Sequence, residues 1–145
     1  MQAYNGVSLE YYSSHNTFNN CTVSGNGNIQ FHVSGYDALR LAQDSHNIIN
    51  AGTFTGENNT EAVILIEGDG TYINGGTING PGAQGIYLGT QATNASVNNN
   101  TFVQGSGLAS AIIVNGTRDL GSGNILNTLS SNLLLGICGL TPPLL

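Results

Sequence analysis

Apolar and polar residues alternate along this chain in short bursts, and one six-position pattern keeps returning: apolar, Asn, two small or polar residues, Thr, apolar. It reads Phe18-Asn19-Asn20-Cys21-Thr22-Val23, then Ile49-Asn50-Ala51-Gly52-Thr53-Phe54, Ile73-Asn74-Gly75-Gly76-Thr77-Ile78 and Val97-Asn98-Asn99-Asn100-Thr101-Phe102, with a degenerate fifth copy opening at Gly123-Asn124-Ile125. Successive Asn residues lie 31, 24, 24 and 26 positions apart. That period is too short for a helix pair and right for one coil of a β-solenoid. A short apolar strand precedes each copy, with inward pairs Val7 and Leu9, Leu39 and Leu41, Val63 and Leu65, Ile86 and Leu88, Ile112 and Val114. From the second member of each pair to the repeat Asn is always 9 or 10 residues.

The spacing predicts rungs over 6–25, 36–57, 61–80, 84–105 and 109–127, about five in all. An inserted strand, with Ile29, Phe31 and Val33 inward and Gln30 and His32 outward, accounts for the longer first period. Strands of a few residues bounded by Gly, Asn and Pro, as in Gly56-Glu57-Asn58-Asn59 and Gly80-Pro81-Gly82, suit solenoid corners. The expected organisation is an all-β parallel β-helix over 1–128 and an irregular tail over 129–145. That tail is apolar but too short to span a bilayer, which predicts a cap or oligomer contact and no membrane insertion.

Composition narrows the function classes. Charged residues make up 7% of the 145, Lys is absent, and Arg occurs only at Arg40 and Arg118. With 21 Gly and 20 Asn the chain is rich in turn formers, and the net charge of -6 opposes a nucleic-acid partner, which requires clustered Lys and Arg. Cys21 and Cys138 are too few for a disulfide scaffold. Met1-Gln2-Ala3-Tyr4-Asn5 has neither a basic nor an apolar run and no cap precedes the first rung, so the chain reads as a fragment of a longer protein.

The repeat Asn has a physical reason. Equivalent residues of successive rungs stack about 4.8 Å apart, so Asn19, Asn50, Asn74 and Asn98 are expected to form a buried amide ladder, and Asn tolerates the left-handed backbone of a sharp corner. Thr22, Thr53, Thr77 and Thr101 make a β-branched column beside the apolar column Val23, Phe54, Ile78 and Phe102. On these repeats the chain resembles the right-handed parallel β-helix superfamily of pectate lyases, polygalacturonases, polysaccharide epimerases and phage tailspikes. The resemblance covers residues 6–127 and implies carbohydrate work in general terms. The enzyme motifs of that superfamily are missing: there is no Asn-Thr-Asp with Asp-Asp and Gly-His-Gly, no Asp-Pro-His, and few basic residues for a lyase base.

Candidate chemistry sits ahead of each Asn. Glu67 is seven positions before Asn74, and Tyr12, Gln43, Gln91 and Thr117 are its equivalents by spacing, an expected polar column on one face. Glu67, Asp69 and Asp44 form the best carboxylate group for glycoside hydrolysis, which uses one acid and one base or nucleophile. Tyr11, Tyr12, Tyr36 and Tyr87 are expected to face outward, where a ring with a polar tip stacks on sugar; Tyr12, Gln43, Gln91 and Tyr87 are the binding candidates. His15 and His46 are each four before a repeat Asn and should stack, but the column continues with Gly70 and Asn94, so no metal site and no cofactor are expected. Sequons at Asn20, Asn58, Asn94, Asn99 and Asn115 follow from the Asn and Thr content. An ice-binding surface would need a repeated Thr-x-Thr face, which the sequence lacks.

Together these features predict the distal part of a trimeric tailspike or fibre that binds host-surface polysaccharide, on a virion or outside the cell. A β-helix enzyme acting on polysaccharide and a purely structural trimeric shaft are the alternatives. The trimer expectation rests on Ala62-Val63-Ile64-Leu65-Ile66: with Val63 and Leu65 inward, Ile64 would join Tyr87 and Ile113 in an outer apolar stripe covered by symmetry mates.

Overall fold

The computed structural model describes residues 5–34, 45–57, 59–80, 82–103, 108–115, 120–122 and 125–127. Thirteen short strands and no helix occur among them. In chain order they are β1 (Val7–Leu9), β2 (Thr17–Val23), β3 (Phe31–Val33), β4 (Ile48–Thr55), β5 (Asn59–Ile66), β6 (Tyr72–Asn74), β7 (Thr77–Asn79), β8 (Gly82–Leu88), β9 (Ser96–Asn98), β10 (Thr101–Val103), β11 (Leu108–Val114), β12 (Leu120–Ser122) and β13 (Ile125–Asn127). Every pairing among the described residues is parallel, and each strand pairs with its counterpart on the neighbouring turn, the inner strands on both sides. The chain is a parallel β-solenoid.

One sheet has the order β1-β3-β5-β8-β11. The other has two limbs: β2, β4, β6, β9 and β12 share one, and the second halves of β2 and β4 continue with β7, β10 and β13 into the other. Five stacked strands in the first sheet are joined by four circuits, so the coil makes about four turns where the sequence suggested about five rungs.

The repeat columns are aligned as their spacing predicted. Asn19, Asn50, Asn74 and Asn98 are in register, as are Thr22, Thr53, Thr77 and Thr101. Val23, Phe54, Ile78 and Phe102 stack beside them, and Phe54, Ile78 and Phe102 are fully buried. Phe31 joins Phe18 and Phe54 in two edge-to-face contacts with centroids 4.9 and 6.1 Å apart, tying the first sheet to both limbs of the second. In the fifth copy Ser122, not Asn124, takes the place opposite Asn98.

Three expectations are corrected. The second-turn strand of the first sheet is Phe31–Val33, which pairs with both β1 and β5; the inserted residues therefore follow it, and Leu39 and Leu41 lie outside the described residues. In β5 it is Ile64 and Ile66 that align with Phe31 and Val33, with Ile86 and Leu88, and with Ile112 and Val114 beyond, so Ile64 points into the core and Leu65 outward. Val63 is buried in the same core cluster, as expected, so two consecutive residues of β5 face inward and Leu65 alone of the expected pair is turned out. Gln30, expected outward, is fully buried: its amide donates to the Asn26 carbonyl at 3.0 Å and accepts from Asn26 Nδ2 at 2.8 Å.

Two corners repeat with left-handed backbone at aligned positions. The first holds His15, His46, Gly70 and Asn94 at φ of 59°, 53°, 61° and 54°; the second holds Asn20, Ala51, Gly75 and Asn99 at 52°, 58°, 71° and 54°. The left-handed residue is thus the one after the ladder Asn. Asn, Gly and His enter that region most readily, which accounts for seven of these eight identities.

Candidate functional site

The outer face of the first sheet carries the column Ser8, His32, Leu65, Tyr87 and Ile113. The backbone bonds Glu67 N–H to Val33 O, Gly89 N–H to Ile66 O and Asn115 N–H to Leu88 O extend the same register past the strand ends. Polar side chains therefore meet across turns. His32 Nε2 lies 3.4 Å from Glu67 Oε2, and Asn115 Nδ2 donates to the Tyr87 hydroxyl at 2.9 Å. Between the two pairs stands Gly89, where a Cβ would come within 3.0 Å of Glu67 Cγ, so the missing side chain leaves room for the Glu67 stem. Leu65 is covered within the chain by Ile29 and Ala62, and Tyr87 packs against that cluster with its ring half-buried.

Asp69 occupies a different position, at the corner that leads into the second sheet. It bridges to Ser45 on one turn and Thr93 on the other. Its Oδ1 accepts from Thr93 Oγ1 and from Asn94 Nδ2, the latter at 2.8 Å. The Thr93 hydroxyl most of all, then the Asn94 amide, the nearby His46 imidazole and the Gly70 N–H, hold its carboxyl below the ordinary carboxylate range, against a smaller opposing effect of burial. Asp69 is a fixed anion within a hydroxyl and amide column. Beside it the His15 and His46 rings stack with centroids 5.2 Å apart and planes 10° from parallel, as their spacing predicted. A Cβ at Gly70 would lie 3.0 to 3.4 Å from the His46 ring, so glycine permits that ring to lie flat over the next turn.

The amide ladder forms, but on the outside. Asn50 Nδ2 donates to Asn19 Oδ1 at 3.3 Å and Asn74 Nδ2 to Asn50 Oδ1 at 3.2 Å, and both bonds are exposed. At the fourth turn Asn99 makes the bond to Asn74 Oδ1, at 2.9 Å, while Asn98 donates to Ser96 Oγ at 2.8 Å. Asn47 and Asn100 are fully buried amides at the corners, which sequence reasoning missed. Asn47 Oδ1 accepts the Asn16 N–H at 3.0 Å and its Nδ2 donates to Ser13 O at 2.9 Å; Asn100 Oδ1 accepts the Gly76 N–H at 2.8 Å. Asn16 and Asn47 are separated by the same 31 positions as Asn19 and Asn50, a signal present in the sequence.

Of the sequence candidates, Glu67 and Tyr87 share one outer face, joined there by His32 and Asn115. Gln91 does not share the Glu67 column: Gly89 does, because the link from Leu88 to Thr93 is two residues longer than that from Ile66 to Asp69. Tyr12 is 68% exposed at the first-turn corner. Asp44, Gln43, Tyr36, Thr117, Arg40, Arg118, Asn124, Cys138 and the tail over 129–145 lie outside the described residues. Cys21 is a free, partly buried thiol. Among the described residues no three His, Cys, Asp or Glu side chains gather in a way that would hold a metal ion, and no helix is long and apolar enough to cross a membrane. No protein-family model, curated protein or solved structure matches this chain.

Proposed function

We propose that this solenoid binds a surface polysaccharide, in the manner of the tailspike and fibre β-helix domains that its repeats resemble, and serves attachment on a virion or outside the cell. The observation that carries the reading is the outer face of the first sheet. There a half-buried tyrosine ring, its hydroxyl fixed by Asn115, stands near the His32–Glu67 pair. A ring with a polar tip and convergent hydrogen-bonding groups suits a sugar, which presents a C–H face and hydroxyl edges.

Binding is favoured over cleavage by the absence of the superfamily's enzyme motifs and by the placement of the carboxylates. Two-carboxylate glycoside hydrolysis needs a pair facing one bond, whereas Glu67 is paired with His32 beside the outer-face column and Asp69 sits at the corner with Oδ1 engaged by Thr93 and Asn94. Assembly as a homotrimer belongs to the same reading and rests on the tailspike resemblance alone, since Ile64 faces the core and Leu65 is covered within the chain.

The test is retention on a panel of immobilised bacterial surface polysaccharides, scored with release of reducing ends or unsaturated products. The expected result is retention without product, weakened at least about tenfold by Glu67→Gln or Tyr87→Ala, a loss of roughly 1.4 kcal/mol. Product formation abolished by Glu67→Gln would establish an enzyme instead. Light scattering at three times the 15.0 kDa chain mass supports the trimer, and a clean monomer at micromolar concentration refutes it.

A further inference from the structure

Tyr11 and Tyr12 are the most exposed large hydrophobic side chains among the described residues, at 74% and 68%. Both also hold left-handed backbone, with φ of 53° and 69°. A left-handed residue bearing a Cβ is unfavourable, and two in succession are more so. Elsewhere among the described residues no two residues bearing a side chain hold left-handed backbone in succession, and those that do so singly, at the aligned corners, are Asn, His and one Ala. Here the strain falls on two bulky aromatics whose rings stay largely in water and so gain little from burial. The turn that enforces it is closed by Ser13 Oγ donating to the Glu10 carbonyl at 2.6 Å and by the Ser14 N–H donating to the Tyr12 carbonyl at 2.9 Å. Strain held at side chains this exposed is characteristic of segments shaped for a ligand.

We propose that Tyr11 and Tyr12 are a stacking platform for a neutral polysaccharide. The proposal rests on the glycan reading above and adds both a place and a chemical class. Two adjacent rings offer flat apolar area to the C–H faces of pyranose units, most fully when the ring substituents are equatorial, as in β-linked glucans. Their hydroxyls and the Glu10 carboxylate, which accepts from Ser8 Oγ at 2.8 Å, supply partners for sugar hydroxyls. The same carboxylate and the net charge of -6 repel uronate and sialylated chains. Neutral chains are therefore the class selected.

The experiment is affinity electrophoresis of the full chain through gels containing hydroxyethylcellulose, dextran or polygalacturonate, run beside the Tyr11→Gly/Tyr12→Gly variant with melting temperatures for both. Glycine adopts the left-handed backbone freely, so the variant removes the rings without distorting the turn. The expected result is retardation by hydroxyethylcellulose and none by polygalacturonate. In the variant that retardation falls at least tenfold in apparent affinity, with a melting temperature equal to or above that of the parent. Equal retardation of parent and variant overturns the platform and leaves glycan binding standing. Retardation by polygalacturonate alone overturns the neutral class, and a lower melting temperature in the variant assigns the tyrosines to the fold and overturns the platform. Absence of retardation of the parent in all three gels, together with no retention on the surface-polysaccharide panel, overturns the glycan reading itself.

Discussion

Replacing Gly52 by Ala and Gly75 by Asn should have very different costs, although both glycines have positive φ and sit two positions after or one after a ladder Asn. Gly52 has φ of 110°, beyond the left-handed well that other residues enter. It also faces Cys21 on the neighbouring turn: an added Cβ would overlap the Cys21 carbonyl oxygen and lie 2.9 Å from the Cys21 nitrogen and 3.2 Å from its carbonyl carbon. These are backbone atoms, so the contact is relieved only by parting β2 from β4. A disallowed conformation costs about 1 to 3 kcal/mol and overpacking about the same again, which places Gly52→Ala near 4 kcal/mol. Gly75 has φ of 71° with nothing within 4 Å of an added Cβ, and its column partners are Asn20, Ala51 and Asn99. The small left-handed penalty of Asn is offset by a gain of about 0.4 to 1 kcal/mol from a stiffer unfolded chain, so Gly75→Asn should change stability by less than about 1 kcal/mol. In thermal melts followed by circular dichroism the first variant should lose roughly 10 °C or more and the second should stay within about 3 °C. Equal shifts would refute the stacked-corner geometry, and a Gly52→Ala melt within about 3 °C of the parent would show that β2 and β4 are not in this register.

Two further outcomes follow from side chains already described. Asn50→Ala removes one donor and one acceptor from an exposed ladder, so it should cost only about 0.5 to 1.5 kcal/mol in chemical denaturation, well below the loss of a buried amide; a loss above about 3 kcal/mol would mean the ladder is not at the surface. Asp69 titrates below its unfolded value of 3.8, so at acidic pH the folded chain binds fewer protons there than the unfolded chain does. Its contribution is therefore complete above that value and is lost as pH falls through the lower folded value. Melting temperatures from pH 6 to pH 2 should fall on acidification less steeply for Asp69→Asn than for the parent, and parallel curves would show that the Thr93 and Asn94 contacts do not stabilise the anion.

The columns that alternate cleanly were legible in the sequence, and the strands that do not alternate were not. Asn19, Asn50 and Asn74 recur between an apolar residue and a Thr, so period and register could be read together. Ala62-Val63-Ile64-Leu65-Ile66 is apolar at every position, and alternation carries no information in such a run. Pairing with β3 and β8 aligned Ile64 with the inward Phe31 and Ile86, while Val63 stayed in the core beside it. The second-turn strand was misplaced for a related reason. Leu39 and Leu41 keep the expected distance to Asn50, whereas Phe31 and Val33 keep the alternation, and pairing with β1 and β5 selected alternation.

The site was less legible than the fold because its members come from different turns, and the links between turns vary in length. His32 and Glu67 are 35 positions apart and Tyr87 and Asn115 are 28 apart, neither of which is the 24-residue period. Reading columns at constant distance from the repeat Asn put Gln91 over Glu67, but the link after Leu88 is longer, and a glycine takes that place instead. Chemistry on a solenoid face is set by strand register rather than by corner register, and here the two part company in the link between the first sheet and the Asp69 corner. Counted from the strand ends Ile66 and Leu88, Glu67 falls opposite Gly89; counted from the corner residues Asp69 and Thr93, it falls opposite Gln91. The backbone bond from Gly89 to Ile66 selects the first, so insertions in the corners move the polar residues of the first sheet relative to the ladder without disturbing either core. A Gly89→Ala substitution follows directly: its Cβ would press on Glu67 Cγ at 3.0 Å, a flexible neighbour, and should displace the Glu67 carboxylate from His32 while leaving the melting temperature within about 3 °C.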